Sequence, residues 1–155
     1  MEITLALQKD LREIYHLFEA AKRQMNQTNV HQWTIHYPNK EIVEADIANQ
    51  QLYKLVVNKK IVAVATLSFE SQESYTLRRI ATNPDYLSKG YASVLINDLI
   101  NRIREKNGNH IYSSTNHSNE KMQHFFKKIG FEKISEYAES EREHLGSFYK
   151  YLKEI

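Results

Sequence analysis

The chain has 155 residues and no cysteine. That length predicts one domain over residues 1–155, and the composition excludes disulfides, thiolate metal sites and a cysteine nucleophile. Hydrophobic residues at 41% and charged residues at 26% describe an ordinary globule with enough apolar surface for a core. A net charge of +2 is too small to imply a nucleic-acid or membrane surface. No stretch approaches the ~18 apolar residues of a membrane span. Met1 to Asp10 is interrupted too early by Gln8, Lys9 and Asp10 to read as an export signal, so the expected location is the cytoplasm.

Only two prolines and four glycines punctuate the chain, so the elements are long and each breaker is informative. Ile3, Leu5 and Leu7 alternate as a short strand. Asp10 then reads as the cap of a helix carrying Leu11, Ile14, Tyr15, Phe18 and Ala21 at helical spacing. Val30 to Pro38 is a polar and aromatic loop. A second helix follows, capped by Asn39 with Ile42 and Ile47 inward. Leu52–Val57 and Ile61–Phe69 form a hairpin across Asn58-Lys59-Lys60, without the ideal Asn-Gly pair. Tyr75–Thr82 is a third strand, ended by Asn83-Pro84-Asp85. Gly90 opens an amphipathic helix that stops near Gly108, and His110–Thr115 is a strand. A helix over Met122–Ile129 closes at Gly130, and Phe131–Tyr137 and Phe148–Leu152 are final strands. The expected fold class is mixed α/β, one sheet with helices packed against it.

The passage from Arg79 to Ala92 concentrates the chemistry. A strand ends at a proline turn, and a loop with one glycine leads straight into a helix. Successive backbone N–H groups in such a loop, with the positive end of the helix dipole, suit a phosphate or pyrophosphate. The glycine count and spacing fit neither a Walker loop nor a dinucleotide fingerprint.

This stretch resembles the acetyl-coenzyme A loop of the GNAT superfamily, the GCN5-related N-acetyltransferases, whose pattern Gln/Arg-x-x-Gly-x-Gly/Ala appears here as Leu87-Ser88-Lys89-Gly90-Tyr91-Ala92. A second landmark of that family, an asparagine followed by a helix ending in Gly-Phe, appears as Asn119 through Phe125-Phe126-Lys127-Lys128-Ile129-Gly130-Phe131. Gln32-Trp33, Tyr37-Pro38 and Asp46-Ile47 are similar to the N-terminal half of one bacterial branch. The resemblance implies a mostly antiparallel sheet of six to seven strands, flanked by about four helices and opening in a V at Thr82. It implies acetyl-coenzyme A as cosubstrate and no metal. The cofactor arm would pair with Ile80, Ala81 and Thr82, and the pyrophosphate would rest on the amides of Ser88, Lys89, Gly90, Tyr91 and Ala92, with Ser93 adding a hydroxyl. Asn119 would bond the arm, and Phe125 or Phe126 would pack near the thioester.

Three departures from the family pattern set expectations for catalysis. Leu87 replaces Gln/Arg, which predicts weaker but surviving anion binding. Phe126 stands where many members carry the tyrosine that protonates the leaving thiolate, and a phenyl ring donates no proton. Thr76 falls near a position where some members place a glutamate base. Glu73 as base through water, and Tyr112 or Tyr137 as acid, are the candidate replacements. On the acceptor side, Trp33 and Tyr37 in the first loop are candidate substrate contacts. Strand alternation puts Thr76 and Arg78 on one face and Arg79 on the other, so Arg78 is a candidate partner for a substrate carboxylate. The expected acceptor is a primary amine of a small molecule, such as a free amino acid or short peptide, bound by a monomer or homodimer.

The alternative is a non-catalytic module that binds or senses acyl-coenzyme A. Other clusters read as plain structure. The spacing of His31 and His36 fits no common metal pattern. Lys121, Lys127 and Lys128 are a solvated helix face, and Glu139 to Glu143 an acidic turn. Ten tyrosines without a basic stripe do not make a nucleic-acid surface.

Overall fold

The structure, a computed structural model, describes residues 1–34 and 36–155. Among the described residues seven strands form one sheet: β1 (Glu2–Leu5), β2 (Leu52–Val57), β3 (Lys60–Phe69), β4 (Ser74–Thr82), β5 (His110–Asn116), β6 (Glu132–Ala138) and β7 (Ser147–Glu154). Their order in space is β1-β2-β3-β4-β5-β7-β6. All neighbours are antiparallel except β4 and β5, which run parallel. The helices are α1 (Leu11–Gln27), α2 (Lys40–Ala48), α3 (Tyr91–Glu105) and α4 (Glu120–Lys128). Among the described residues no helix is long and apolar enough to cross a membrane.

Helical spacing decides which faces are buried. Leu11, Ile14, Leu17, Phe18 and Ala21 of α1 join Val43 and Ile47 of α2 in a core on one side of the sheet, reached from β3 by Ile61 and Val64. Leu95, Ile96, Leu99, Ile100 and Ile103 of α3 and Phe126 of α4 fill a core on the other side, reached by Val62, Ala63 and Ala65. Strand β3 is therefore covered on both faces, which explains its nearly unbroken apolar run.

Local sequence sets the connections. Asn39 accepts from the Ile42 amide at 2.8 Å and caps α2 as expected, although Val43 rather than Ile42 is the fully buried partner of Ile47. Asn58 and Lys59 both take positive φ, +50° and +65°, making a two-residue turn in which lysine occupies the usual glycine position. Asp10 does not cap α1 directly. Its carboxylate reaches back to the Leu7 amide at 2.8 Å and across to Lys54 Nζ at 2.7 Å, closing a short helical turn that precedes α1.

The β4–β5 junction differs from expectation. Pairing covers only Ser74–His110, Tyr75–Ile111 and Thr76–Tyr112, so the sheet opens just past Thr76 and not at Thr82. Side chains complete the hydrogen bonds that the ladder leaves unmade. Ser113 Oγ donates to the Leu77 carbonyl at 2.9 Å. The Gln32 amide oxygen accepts from Thr115 Oγ1 at 2.9 Å, the Asn116 amide at 3.2 Å and Asn119 Nδ2 at 3.3 Å. The first loop thus holds the end of β5 away from β4.

Candidate active site

Strand alternation carries Tyr112 and Ser114 of β5, Phe148 and Lys150 of β7, and Ser135 and Tyr137 of β6 to one face of the sheet. They floor a cavity of about 1500 Å³ walled by the first loop, β4 and the β6–β7 connection. A smaller cavity of about 60 Å³ lies between Arg79 and Ile80 of β4, Ser113 and Ser114 of β5, and Asn119 and Met122 at the start of α4. Gln32, Trp33, Arg79, Ser113 and Ser114 line both. The two spaces meet where β4 and β5 part.

Beyond Thr82, a short helical turn at Pro84–Tyr86, fixed by Asn83 accepting from the Asp85 amide at 3.0 Å, aims the chain at α3. Ser88 and Gly90 take positive φ, +63° and +77°. Among the described residues, the amides from Ser88 to Ser93 have no acceptor, and no acidic residue occupies the first turn of α3. A Cβ built on Gly90 would meet nothing within 4 Å, so the loop presents open space in front of free N–H groups and a positive helix end. That is an anion cradle.

A β-bulge in β4 provides the third feature. Register against β3 shifts between Val64–Ala81 and Thr66–Arg78, and Arg79 sits in the extra length with φ +49°. This left-handed conformation costs a non-glycine residue about 1–2 kcal/mol, and it turns Arg79 inward. Its guanidinium binds Asp46 of α2 with Nε to Oδ2 at 2.7 Å and Nη2 to Oδ1 at 2.8 Å. Its third nitrogen donates to the Tyr37 hydroxyl at 3.0 Å, and Thr66 Oγ1 donates to Asp46 Oδ2 at 2.8 Å. Side-chain exposure is 12% for Arg79 and 7% for Asp46. Burial opposes the charge on Arg79, but the hydrogen bonds and charge of Asp46 and Tyr37 outweigh it and hold the guanidinium above its ordinary range.

The expected site residues fall in different environments. Ile80 and Asn119 border the smaller cavity. Ala81 turns its side chain into the α1 core, Thr82 pairs with Ala63, and Leu87, Tyr91, Ala92, Ser93 and Phe125 are half-buried along the loop and helices. Ser88, Lys89 and Gly90 are exposed. The Asn119 oxygen is engaged as the cap of α4, accepting from the Met122 amide at 3.1 Å. Trp33, Tyr37, Arg78, Tyr112 and Tyr137 all line the large cavity.

Phe126 and Glu73 line neither cavity. Phe126 is fully buried among Phe131, Tyr151 and Phe125, so its ring is part of the core. Glu73 is exposed and lies outside both cavity linings, its carbonyl accepting from the Asn109 and His110 amides. Strand geometry explains this: Glu73 precedes β4, beyond the paired end of the strand.

Arg78 is 49% exposed and meets Glu70 at 3.1 Å, a surface pair, whereas Arg79 is the enclosed arginine. Alternation was the signal that assigned them, and the bulge broke it. Arg142 was also hidden in a turn that reads as acidic. It is hydrogen-bonded to Glu139 at 2.7 Å and to the Gln32 carbonyl at 3.2 Å, and it lies 4.5 Å over the Tyr37 ring and 4.8 Å over Phe148. Its run of Glu139, Glu141 and Glu143 around one arginine was the available signal.

Comparisons with known proteins follow the same outline. The profile of the acetyltransferase (GNAT) family matches residues 11–131. No curated protein matches the chain. Among solved structures, a GNAT family acetyltransferase from Streptococcus agalactiae is 21% identical with a TM-score of 0.86, covering 99% of this chain and 95% of that one. PaiA N-acetyltransferase from Thermoplasma acidophilum, solved in complex with coenzyme A, is 16% identical with a TM-score of 0.81 over 99% and 98% of the two chains. A GNAT family acetyltransferase from Bacillus cereus is 21% identical with a TM-score of 0.75 over 99% and 96%. These likenesses establish the fold, and the profile spans well over half of the sequence: the chain belongs to the acetyltransferase (GNAT) family, whose members are N-acetyltransferases.

Proposed function

We propose that the protein transfers acetyl from acetyl-coenzyme A to the primary amine of a small molecule, a free amino acid or short peptide being the leading acceptor class. One observation carries this reading: a large cavity and a small one meet at parted strands, and an anion cradle stands beyond the end of the same strand. The cradle fits a diphosphate, because its amides are free and Gly90 leaves the approach open. When bound, acetyl-coenzyme A supplies the thioester carbon that an amine attacks.

The chain's own residues then have distinct tasks. The amides of Ser88 to Ala92, with the Ser93 hydroxyl, hold the diphosphate, and Lys89 adds positive charge beside it. The backbone of Ile80, Ala81 and Thr82, freed from β5, offers hydrogen bonds to the extended arm, with Asn119 and Phe125 at its flank. A backbone N–H at the opened strand polarises the carbonyl. Trp33 and Tyr37 form the acceptor wall, and Arg78 at the cavity rim is the contact for an acceptor carboxylate. Tyr112, the last residue of β5 paired with β4, and Tyr137, stacked on Phe148 at 5.9 Å, both line the acceptor cavity and are the hydroxyls available to protonate a leaving thiolate. We assign this activity to residues 1–155 as one domain, acting in the cytoplasm as a monomer or homodimer.

The test is release of free thiol from acetyl-coenzyme A across amino acids, short peptides, polyamines and aminoglycosides, with calorimetric titration of coenzyme A in parallel. Turnover confined to carboxylated amines supports the full reading. Turnover of polyamines alone removes the acceptor class. Binding without turnover of any amine leaves only the acyl-coenzyme A module, and absence of binding removes the donor as well.

A further inference from the structure

Beyond Thr76, β4 has no strand partner on its β5 side among the described residues, and it carries a bulge whose positive φ a non-glycine residue readily abandons. A strand unpaired on one side and carrying a strained residue needs something else to fix it. The Asp46–Arg79 pair has the geometry for that. Two parallel hydrogen bonds of 2.7 and 2.8 Å hold the guanidinium plane in one orientation. Asp46 is itself fixed by Thr66 of β3, the strand that flanks β4 on its paired side. The remaining nitrogen of Arg79 holds the Tyr37 hydroxyl of the first loop. The pair therefore ties β3, β4, α2 and the first loop together, at a residue that lines both cavities.

We propose that Asp46 and Arg79 are a positioning pair for acetyl transfer: they fix the backbone of the β4 bulge at the junction of the donor and acceptor spaces, and through Tyr37 they hold the acceptor wall to the same point. This inference rests on the acetyl-transfer reading. The pair touches neither reactant in this role, so its effect is on the rate of the bound complex and not on the affinity of the donor.

The experiment compares Asp46→Asn and Arg79→Lys with the unaltered protein. Asp46→Asn removes the charge, and Arg79→Lys keeps the charge but cannot form the two parallel bonds. For each, kcat and the KM for acetyl-coenzyme A and amine are measured, with coenzyme A affinity by calorimetry and Tm. Both variants are expected to lose about 10- to 100-fold in kcat, since misplacing reacting groups by about 1 Å costs on that order. The KM for acetyl-coenzyme A and the coenzyme A affinity are expected to stay within about 3-fold, the pattern of an interaction used only in the transition state. Where Asp46→Asn folds poorly, Arg79→Lys decides. A variant with lowered Tm but unaltered kcat overturns the inference and makes the pair a structural brace. Loss of coenzyme A affinity equal to the loss in kcat overturns it too. An unaltered protein that acetylates no amine overturns the acetyl-transfer reading, and the inference with it.

Discussion

The cradle around Gly90 and the cavity around Arg79 are built by different rules. Residues 88–93 are contiguous, and a positive φ at Ser88 and Gly90 plus the start of α3 suffices to aim their amides outward. The cavity draws on the first loop, α2, β4, β5, β7 and the β6–β7 connection. Its polar groups are held by partners far along the chain, as Arg79 is by Asp46 and Arg142 by the Gln32 carbonyl. In the proposed reading the cradle holds one chemical feature, a diphosphate, and backbone amides suffice for it. In the same reading the cavity discriminates among amines, a task for side chains gathered from several segments. A change in the cradle should therefore alter donor binding alone, and a change in the cavity wall should alter the acceptor alone.

Gly90→Glu should break the first half most severely. A Cβ there meets no atom within 4 Å, the φ of +77° costs a non-glycine residue about 1–2 kcal/mol, and the carboxylate would face the proposed diphosphate. Coenzyme A affinity should fall at least 100-fold, about 2.7 kcal/mol, by calorimetric titration; unaltered affinity would place the donor elsewhere. Arg142→Ala should break the second half. Losing the guanidinium stacked on Tyr37 and Phe148 should raise the acceptor KM about 10-fold, the equivalent of ~1.4 kcal/mol. Donor affinity should not change, and a matching fall in it would merge the two regions into one.

Phe126→Tyr sharpens the boundary between core and site. A hydroxyl placed among Phe131, Tyr151 and Phe125 has no partner there and should cost about 1–3 kcal/mol, read as a lower Tm with no gain in kcat. A rate increase would return position 126 to the thioester.

Asp10→Asn tests a brace remote from both regions. Burial pushes the Asp10 carboxyl up, yet Lys54, the Leu7 amide and Lys9 outweigh it and hold it below its usual range. A depressed folded value means that its stabilisation, about 1–2 kcal/mol, is fully present above the unfolded value of about 3.9 and lost as pH falls through the lower folded one. The stability gap between variant and unaltered protein should be constant at neutral pH and close only below about pH 4. The smallest effect belongs to Glu73→Gln, which lies outside both cavities and should leave kcat within about 2-fold; a larger loss would restore Glu73 as a base.

Much of this was legible in the chain. Helical spacing marked the buried faces of α1 and α3, Asn39 marked its cap, and Gly90 behind a proline turn marked the cradle. These are signals that lie within one turn or one strand, where backbone sterics and hydrophobic period act directly. Alternation failed at Arg79, because a bulge adds one residue and exchanges the faces after it. Glu73 and Thr76 are equally polar on paper, and only the extent of β4–β5 pairing separates an outside position from one at the opening.

The sequence by itself determined the elements, the family landmarks at Gly90 and Asn119, and the amides that face an anion. Tertiary structure alone decided where the sheet opens, which of two adjacent arginines is enclosed, and that Phe126 belongs to the core. The reason is range. A cap or a cradle is closed by neighbours a few residues away, whereas Asp46 meets Arg79, and Gln32 meets Thr115, only after the whole sheet has assembled.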